Sequence, residues 1–235
     1  MKNKKKTFLG KIFRILKRAI LAFFILSILT VVLYRFLPVT LTPLMIIRLG
    51  EQAINGESLK LHKRWVPIEK ISPNIIQAAV TAEDQNFHNH YGFDFKAMKK
   101  AYKSNKRGKK IKGGSTISQQ TAKNVFLWTS RSYIRKAFEG YYTALMELTW
   151  SKKRIMEVYL NVIEMGDGIY GVEMASQTYF NKSAKKLTEN EAALIVACFP
   201  NPRIWNVSKP TNYIRRRQQW IVNNMGKMRN VNWSK

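Results

Sequence analysis

Residues 81–94 read Thr81-Ala-Glu-Asp-Gln-Asn-Phe-His-Asn-His-Tyr-Gly-Phe-Asp94, and they follow a stretch with the pattern of an apolar helix. Ser72 is a typical N-cap residue, and Pro73 suits the first helical position. Apolar residues then recur at helical spacing, at positions 76, 79 and 80. The pattern predicts a helix that begins after Ser72 and ends near Glu83.

Glu83 falls on the apolar side of this predicted helix. A carboxylate there is costly unless it is paired, protonated or active in chemistry. Desolvation would raise its pKa toward the range that a general base or acid needs. The alternative is a side chain at a fraying helix end that reaches solvent.

The charge of the chain indicates an anionic partner. There are 41 Lys and Arg residues against 14 Asp and Glu residues, a formal net charge of +27. Residues 1–18 contain eight of the basic residues, so residues 19–235 still have 33 basic against 14 acidic residues. Nucleic acid, anionic lipid and phosphorylated substrates are the partner classes that such a charge favours.

Residues 19–37 are almost entirely apolar, over about the 20 residues that cross a bilayer. We interpret them as a transmembrane helix preceded by a basic cytoplasmic tail, residues 1–18. A cleaved signal peptide is the alternative, but no small-x-small cleavage site follows. Residues 38–70 are then a membrane-proximal connection, and residues 71–235 form a domain outside the cytoplasmic membrane. This location excludes nucleic acid and favours lipid headgroups or a lipid-linked pyrophosphate.

The remaining patterns are helical. Capping boxes are predicted at Thr116 with Gln119 and at Thr188 with Glu191. Further helices are predicted over residues 155–165, ended by Gly166, and over residues 189–199, stopped by prolines. No alternation indicates a sheet, so the expected fold class is mainly α. The lone cysteine, Cys198, is read as a buried apolar residue.

A second informative segment, residues 107–126, is a basic loop that runs through Gly113-Gly114 into a helix. Free backbone N–H groups at a helix N-terminus bind phosphate, and Ser115 and Lys123 would add a hydroxyl and a cation. A Walker A loop is rejected, because Gly114 stands where its lysine belongs and no strand precedes it. An ordinary loop before a helix is the other reading.

Together, five ordered segments resemble the motifs of the peptidoglycan glycosyltransferases, the family of the polymerase domain of class A penicillin-binding proteins. The matching segments are Glu83-Asp84 with Phe87, His90 and Gly92; Gly113–Gln120 with Lys123-Asn124; Arg135-Lys136 with Glu139; Ile155–Asn161; and Gly168–Glu173 with residues 179–180 and 187–194. The resemblance covers roughly residues 70–210. No second catalytic domain follows, so the monofunctional biosynthetic transglycosylases are the nearest form.

The resemblance implies a lysozyme-like, mainly helical head with a small membrane-proximal jaw lobe. It implies an enzyme that polymerises lipid II into β-1,4-linked glycan with inversion and releases undecaprenyl pyrophosphate. Glu83 would be the base and Asp84 a supporting acid, although a surface role suits Asp84 equally well. Glu139 would orient the donor phosphates, while its spacing from Arg135 and Lys136 also fits an ordinary helix ion pair.

By the same resemblance, Lys123, Arg131 and Lys136 would hold the donor pyrophosphate, beside Ser115, Gln120 and Asn124. No cofactor is required, and Mg²⁺ or Mn²⁺ at the pyrophosphate is left open. His88 and His90 make a weak zinc pair without a third ligand, and His90 is expected to order the motif loop by hydrogen bonding.

The expected partners are lipid II, the growing lipid-linked glycan, the membrane, and cell-wall synthesis or division proteins. The expected location is the inner (cytoplasmic) membrane, with the catalytic domain on its periplasmic or extracellular side. Two other functions fit part of the sequence. A lysozyme-like hydrolase would use a buried glutamate but needs no phosphate site. A membrane-tethered binder of anionic cell-wall polymer would explain the charge but not Glu83.

Overall fold

The computed structural model describes residues 2–106, 113–130, 132–228 and 233. These residues form ten α-helices: α1 Lys2–Phe36, α2 Pro43–Ile54, α3 Pro73–Glu83, α4 Phe95–Lys106, α5 Ile117–Phe126, α6 Tyr133–Thr149, α7 Lys152–Val162, α8 Val172–Phe180, α9 Glu189–Ala197 and α10 Asn212–Met225. Three short strands complete the fold: β1 His62–Lys63, β2 Glu164–Gly166 and β3 Ile169–Tyr170. The chain divides into two compact units, residues 1–37 and residues 38–235.

The first unit is the long helix α1. Its part from Gly10 to Phe36 has 27 residues and a mean hydropathy of 2.3, long and apolar enough to cross a membrane. This helix is consistent with the membrane anchor predicted for residues 19–37.

In the second unit, α3 begins where the sequence predicts. The Ser72 hydroxyl accepts a hydrogen bond from the backbone N–H of Asn74, and Pro73 occupies the first turn. Ile76, Ala79 and Val80 are buried, as expected for the apolar face. The helix stops at Glu83, because the backbone of Asp84, with φ −159° and ψ 79°, is no longer helical. Helices α3, α9 and α10 pack on one another, and α5 packs between α6 and α7.

The two predicted capping boxes are confirmed. At the start of α5, the Thr116 hydroxyl accepts from the N–H of Gln119, and the Gln119 side chain accepts from the N–H of Thr116. At the start of α9, the Glu191 carboxylate accepts from both the N–H and the hydroxyl of Thr188, which forms the second box. These caps fix where α5 and α9 begin.

A small sheet was not predicted from the sequence. Its order is β1-β3-β2, with β1 parallel and β2 antiparallel to β3. Strands of two or three residues are too short to show an alternating pattern. The sheet joins residues 62–63, in the predicted connection, to the segment that follows α7.

Two predicted helix ends are wrong. The helix expected over residues 155–165 ends at Val162, because Ile163 is extended and the next residues pair in β2. The Asn161 side chain bonds both the N–H and the C=O of Val66, which holds this corner to another segment. The helix expected over residues 189–199 ends at Ala197. Otherwise the mainly α prediction is confirmed.

Candidate active site

Glu83 lies at the end of α3 with two polar partners. One carboxylate oxygen is 3.2 Å from a guanidinium nitrogen of Arg217 on α10, and the other accepts a 3.1 Å hydrogen bond from the Gln120 amide on α5. Its side chain is 16% exposed, so it does not simply extend into solvent. The sequence allows a carboxylate at this position to be paired, protonated or active in chemistry. The structure shows that Glu83 is paired, with Arg217.

Gln120 holds its orientation because Tyr159 fixes the other end of its amide. The Tyr159 hydroxyl donates to the Gln120 carbonyl oxygen at 3.1 Å, which leaves the amide N–H₂ directed at Glu83. Burial raises the pKa of Tyr159 well above its usual value, with the charges of Glu83 and Asp84 adding to the effect. The hydroxyl therefore remains a donor, and α3, α5 and α7 are linked through one hydrogen-bonded chain.

Asp84 has a different role from its neighbour. Its side chain is 3% exposed, so the surface alternative is wrong. The carboxylate accepts from the Ile117 N–H at the start of α5, and His90 Nε2 lies 3.0 Å from each of its oxygens. An acid at a helix N-terminus is favourable for the helix dipole. Asp84 thus ties the loop after α3 to α5, and His90 orders this loop as predicted.

Gly92 closes the same loop against α6. Its φ is +82°, and a Cβ at this position would lie 2.7 Å from the Thr143 side chain. Its carbonyl oxygen accepts a 2.6 Å hydrogen bond from the Thr116 hydroxyl. Only glycine combines this backbone conformation with so close an approach to Thr143. Gly92 therefore sets the distance between the loop of residues 84–92 and α6.

Glu139 is buried on α6, with its side chain 3% exposed. Its carboxylate pairs with Arg135 at 2.7 Å and with Lys136, and Lys136 also donates to the Ser115 hydroxyl at 3.3 Å. The ion pair that the spacing allowed is therefore present. Each of the two Glu139 carboxylate oxygens is bound by one of these cations. No group of three or more His, Cys, Asp or Glu side chains in the described ranges could hold a metal ion.

Lys123 is a cation without a partner among the described residues. Its ammonium makes no hydrogen bond or ion pair with any described residue, and its side chain is exposed to solvent. It nevertheless lies in a concave, crowded place, where desolvation lowers its pKa. Arg135 and Lys136 lower this pKa further, whereas Glu139 and Glu83 raise it.

Lys123 lines an open cleft of about 350 Å³, together with Arg48, Gln120, Asn124 and Arg135. We call it the Lys123 cleft. The Asn124 amide donates to the backbone carbonyl of Gln120, which keeps it against α5. Arg48 comes from α2, so the segment before the predicted domain contributes to the site. The cleft has three cationic side chains against one carboxylate, Glu164, so its excess positive charge suits a polyanionic group such as pyrophosphate.

A second cavity of about 490 Å³, the Glu83 pocket, is lined by Glu83, Asp84, Ser115, Lys96, Lys100 and Trp220, among others. Ser115 therefore lies in a different cavity from Lys123, although the sequence predicts them as one phosphate site. The hydrogen bond from Gln120 to Glu83 joins the borders of the two cavities. Arg131 and the basic segment 107–112 lie outside the described residues.

Arg217 and Tyr159 contact this site but were not singled out from the sequence. Arg217 is 134 residues from Glu83 and belongs to a run of three arginines, in a chain with 41 basic residues. No sequence signal separates it from its neighbours. Tyr159 lies within the fourth matching segment, Ile155–Asn161. The helical spacing of its residues was the sequence signal that could have marked Tyr159 as buried.

Comparison with known proteins agrees with this architecture. Residues 51–226 match the family described as transglycosylase. The chain belongs to the transglycosylase family.

Its relatives include proteins named biosynthetic peptidoglycan transglycosylase. That of Bdellovibrio bacteriovorus is 54% identical over 206 residues, which cover 88% of this chain and 82% of the relative. That of Caulobacter vibrioides is 50% identical over 220 residues, or 92% and 93% of the two chains. That of Bacteroides thetaiotaomicron is 49% identical over 212 residues, or 90% and 86%. These relatives identify a peptidoglycan glycosyltransferase.

Proposed function

We propose that the protein polymerises lipid II into β-1,4-linked glycan, with Glu83 as the general base. The observation that supports this most is the placement of Glu83: a mostly covered carboxylate, held by Arg217 and Gln120, beside a cleft with an unpaired lysine. A base must be held within hydrogen-bonding reach of the proton that it removes. The two partners of Glu83 supply this positioning.

In the proposed reaction, the 4-hydroxyl of the incoming lipid II attacks the anomeric carbon of the growing chain. The new C–O bond forms as the bond to the undecaprenyl pyrophosphate breaks, and the electron pair leaves with the pyrophosphate. The hydroxyl proton passes to Glu83. Because attack and departure occur on opposite faces of the sugar, the configuration at the anomeric carbon is inverted.

The leaving pyrophosphate gains negative charge, and the Lys123 cleft is placed to stabilise it. Lys123 has no partner to give up among the described residues, whereas Arg135 and Lys136 are shared with Glu139. Developing charge is stabilised most by cations that are already oriented. Asn124 and the predicted Arg131 complete the proposed binding set in this cleft, and Ser115, which accepts from Lys136, lies at the border of the Glu83 pocket. In this account Glu139 positions Arg135 and Lys136, and Asp84 supports the loop beside Glu83.

We further propose that α1 anchors the protein in the cytoplasmic membrane with its N-terminus inside. The basic tail before the apolar segment favours this orientation. The catalytic domain then lies on the outer side, where lipid-linked substrates present their headgroups. Cell-wall synthesis or division proteins remain expected partners.

The test is to add lipid II to the purified full-length protein in detergent or in vesicles. Glycan chains that lengthen with time, with release of undecaprenyl pyrophosphate, are the expected result. Shortening of preformed glycan instead would identify a hydrolase. Binding of glycan without any change in its length would identify a non-catalytic polymer binder.

A further inference from the structure

Trp220 differs from the other tryptophans in its surroundings. The rings of Trp65, Trp128, Trp150, Trp205 and Trp233 each contact an aromatic ring or a cation. Within the described part of the chain, the Trp220 ring has no such contact, and the residue is 46% exposed. Tryptophan joins a large apolar ring to one polar N–H and is therefore favoured where a ligand or partner covers it.

The position of Trp220 is set by the helix that also holds Arg217. Ile214 and Ile221 are buried on one face of α10, which packs on α3 and α9. Arg217 and Trp220 are one turn apart and so lie next to each other on the helix surface. Arg217 binds Glu83, and its neighbour Trp220 lines the same pocket as this proposed base.

The rest of the Glu83 pocket is largely polar: its carboxylates, Glu83, Asp84 and Asp94, each bind a partner within the protein, whereas its two lysines do not. Asn86, Asp94 and Ser115 line it, together with Lys96 and Lys100 on α4. Both lysines are exposed and form no ion pair or hydrogen bond with described residues. An apolar ring beside hydrogen-bonding groups and free cations suits a ligand with one apolar face, a polar rim and negative charge.

We propose that the Glu83 pocket binds an amino-sugar ring of the glycan substrate against Trp220, with Lys96 and Lys100 contacting the carboxylates of its peptide substituent. One face of a pyranose ring presents C–H bonds, which pack on the electron-rich face of an indole, while its hydroxyls reach the polar rim. This inference rests on the proposed function and names the part of the substrate that lies beside Glu83.

Binding can be tested without catalysis. The full-length protein in detergent, labelled with ¹⁵N at its tryptophan indoles, is titrated with a lipid-free disaccharide-peptide from peptidoglycan. The Trp220 signal, assigned by its loss in Trp220→Tyr, should shift on titration. Trp220→Ala should weaken binding about tenfold, which is near the largest effect expected from losing one aromatic contact. Trp220→Tyr should restore most of the lost affinity. Unshifted Trp220 and unchanged affinity in Trp220→Ala would overturn the proposal.

Two controls separate this role from a structural one. Tyr102→Ala, at an exposed aromatic on α4 that does not line the pocket, should bind and polymerise like the wild type. In polymerisation assays, Trp220→Ala should raise KM for lipid II about tenfold while kcat changes little. A fall in kcat alone, without rescue by Trp220→Tyr, would contradict ring binding. If the wild type binds the fragment but never polymerises lipid II, the proposed function fails and the sugar site stands.

The lysines are tested by the charge of the probe. Lys96→Gln with Lys100→Gln should weaken binding of the acidic disaccharide-peptide but not of a neutral N-acetylglucosamine oligomer. Lys99→Gln is the matched control, on the same helix but outside the pocket lining. Equal weakening for both probes, or for neither, would overturn the carboxylate contact.

Discussion

The guanidinium of Arg217 lies 3.2 Å from the carboxylate of Glu83, although 134 residues separate the two in the chain. The contact joins α10 to the end of α3, at the border of the Glu83 pocket. It gives Glu83 a fixed position and a counter-charge, so Arg217 is a positioning residue for the proposed base.

Replacing Arg217 should therefore slow catalysis more than it weakens substrate binding. We expect Arg217→Ala to lower kcat by about 10- to 100-fold, since one hydrogen bond to a charged group is lost. Arg217→Lys should recover part of this loss. Arg216→Ala, at the exposed neighbour, is the control. Steady-state kinetics with lipid II make the measurement, and a normal kcat in folded Arg217→Ala would contradict the positioning role.

Lys123 should act mainly on the donor. We expect Lys123→Ala to lower kcat/KM about 100-fold at low lipid II concentration, because a cation facing pyrophosphate is removed. Lys209→Ala, at an exposed lysine outside the cleft, should behave like the wild type. An unchanged rate at low substrate in Lys123→Ala would count against the assignment.

The same lysine predicts a pH effect. Because its pKa is lowered, Lys123 loses its proton at a lower pH than an ordinary lysine. Donor use should therefore decline on the alkaline side before ordinary lysines titrate. Lys123→Arg should extend the active range to higher pH, since arginine stays charged. Identical alkaline limbs for the two proteins would show that Lys123 does not control this limb.

Asp84 should contribute more than Glu83 to the free energy of unfolding. Asp84→Ala leaves the buried Ile117 N–H without its partner and His90 without its acid, so we expect a loss of about 2–3 kcal/mol. Glu83→Gln should destabilise the protein less, because its amide oxygen can still accept from Arg217 and only the hydrogen bond from Gln120, at a partly exposed side chain, is lost. Thermal and denaturant unfolding of both variants test this contrast, and equal stability of Asp84→Ala and wild type would refute it.

Lys63 predicts a pH dependence of folding. Its ammonium donates to the carbonyl oxygens of Val39 and Thr40, and desolvation lowers its pKa to about 8. The unfolded lysine titrates near 10.4, so between about 8 and 10 the unfolded chain binds more protons. The unfolding free energy of the wild type should therefore rise with pH relative to Lys63→Gln. A difference that is constant over this range would contradict the prediction, and Lys70→Gln, at an exposed lysine, is the control.

Local signals were enough to predict part of this site. The start of α3 depends on Ser72 and Pro73, and the start of α5 on Thr116 and Gln119, which are near neighbours in sequence. The same signals placed Glu83 at a helix end and on its apolar side. Such features depend on a single helix and its caps, so the sequence alone defines them.

Tertiary contacts decided the rest. The helix predicted over residues 155–165 ends early and β2 follows it. Strand pairing with β3 and the hydrogen bonds between Asn161 and Val66 outweigh the helical periodicity of the sequence. Ser115 and Lys123 belong to one predicted segment, yet they line different cavities. Ser115 accepts a hydrogen bond from Lys136, which belongs to α6. Such contacts between distant segments cannot be read from local spacing.

The most direct test of the central claim is polymerisation of lipid II by Glu83→Gln in the full-length protein. The substitution keeps the size of the side chain and removes its ability to accept the hydroxyl proton. We expect the rate to fall by about a thousandfold, within the range for loss of a general base, while the protein remains folded. A folded Glu83→Gln protein that polymerises lipid II at close to the wild-type rate would contradict Glu83 as the base.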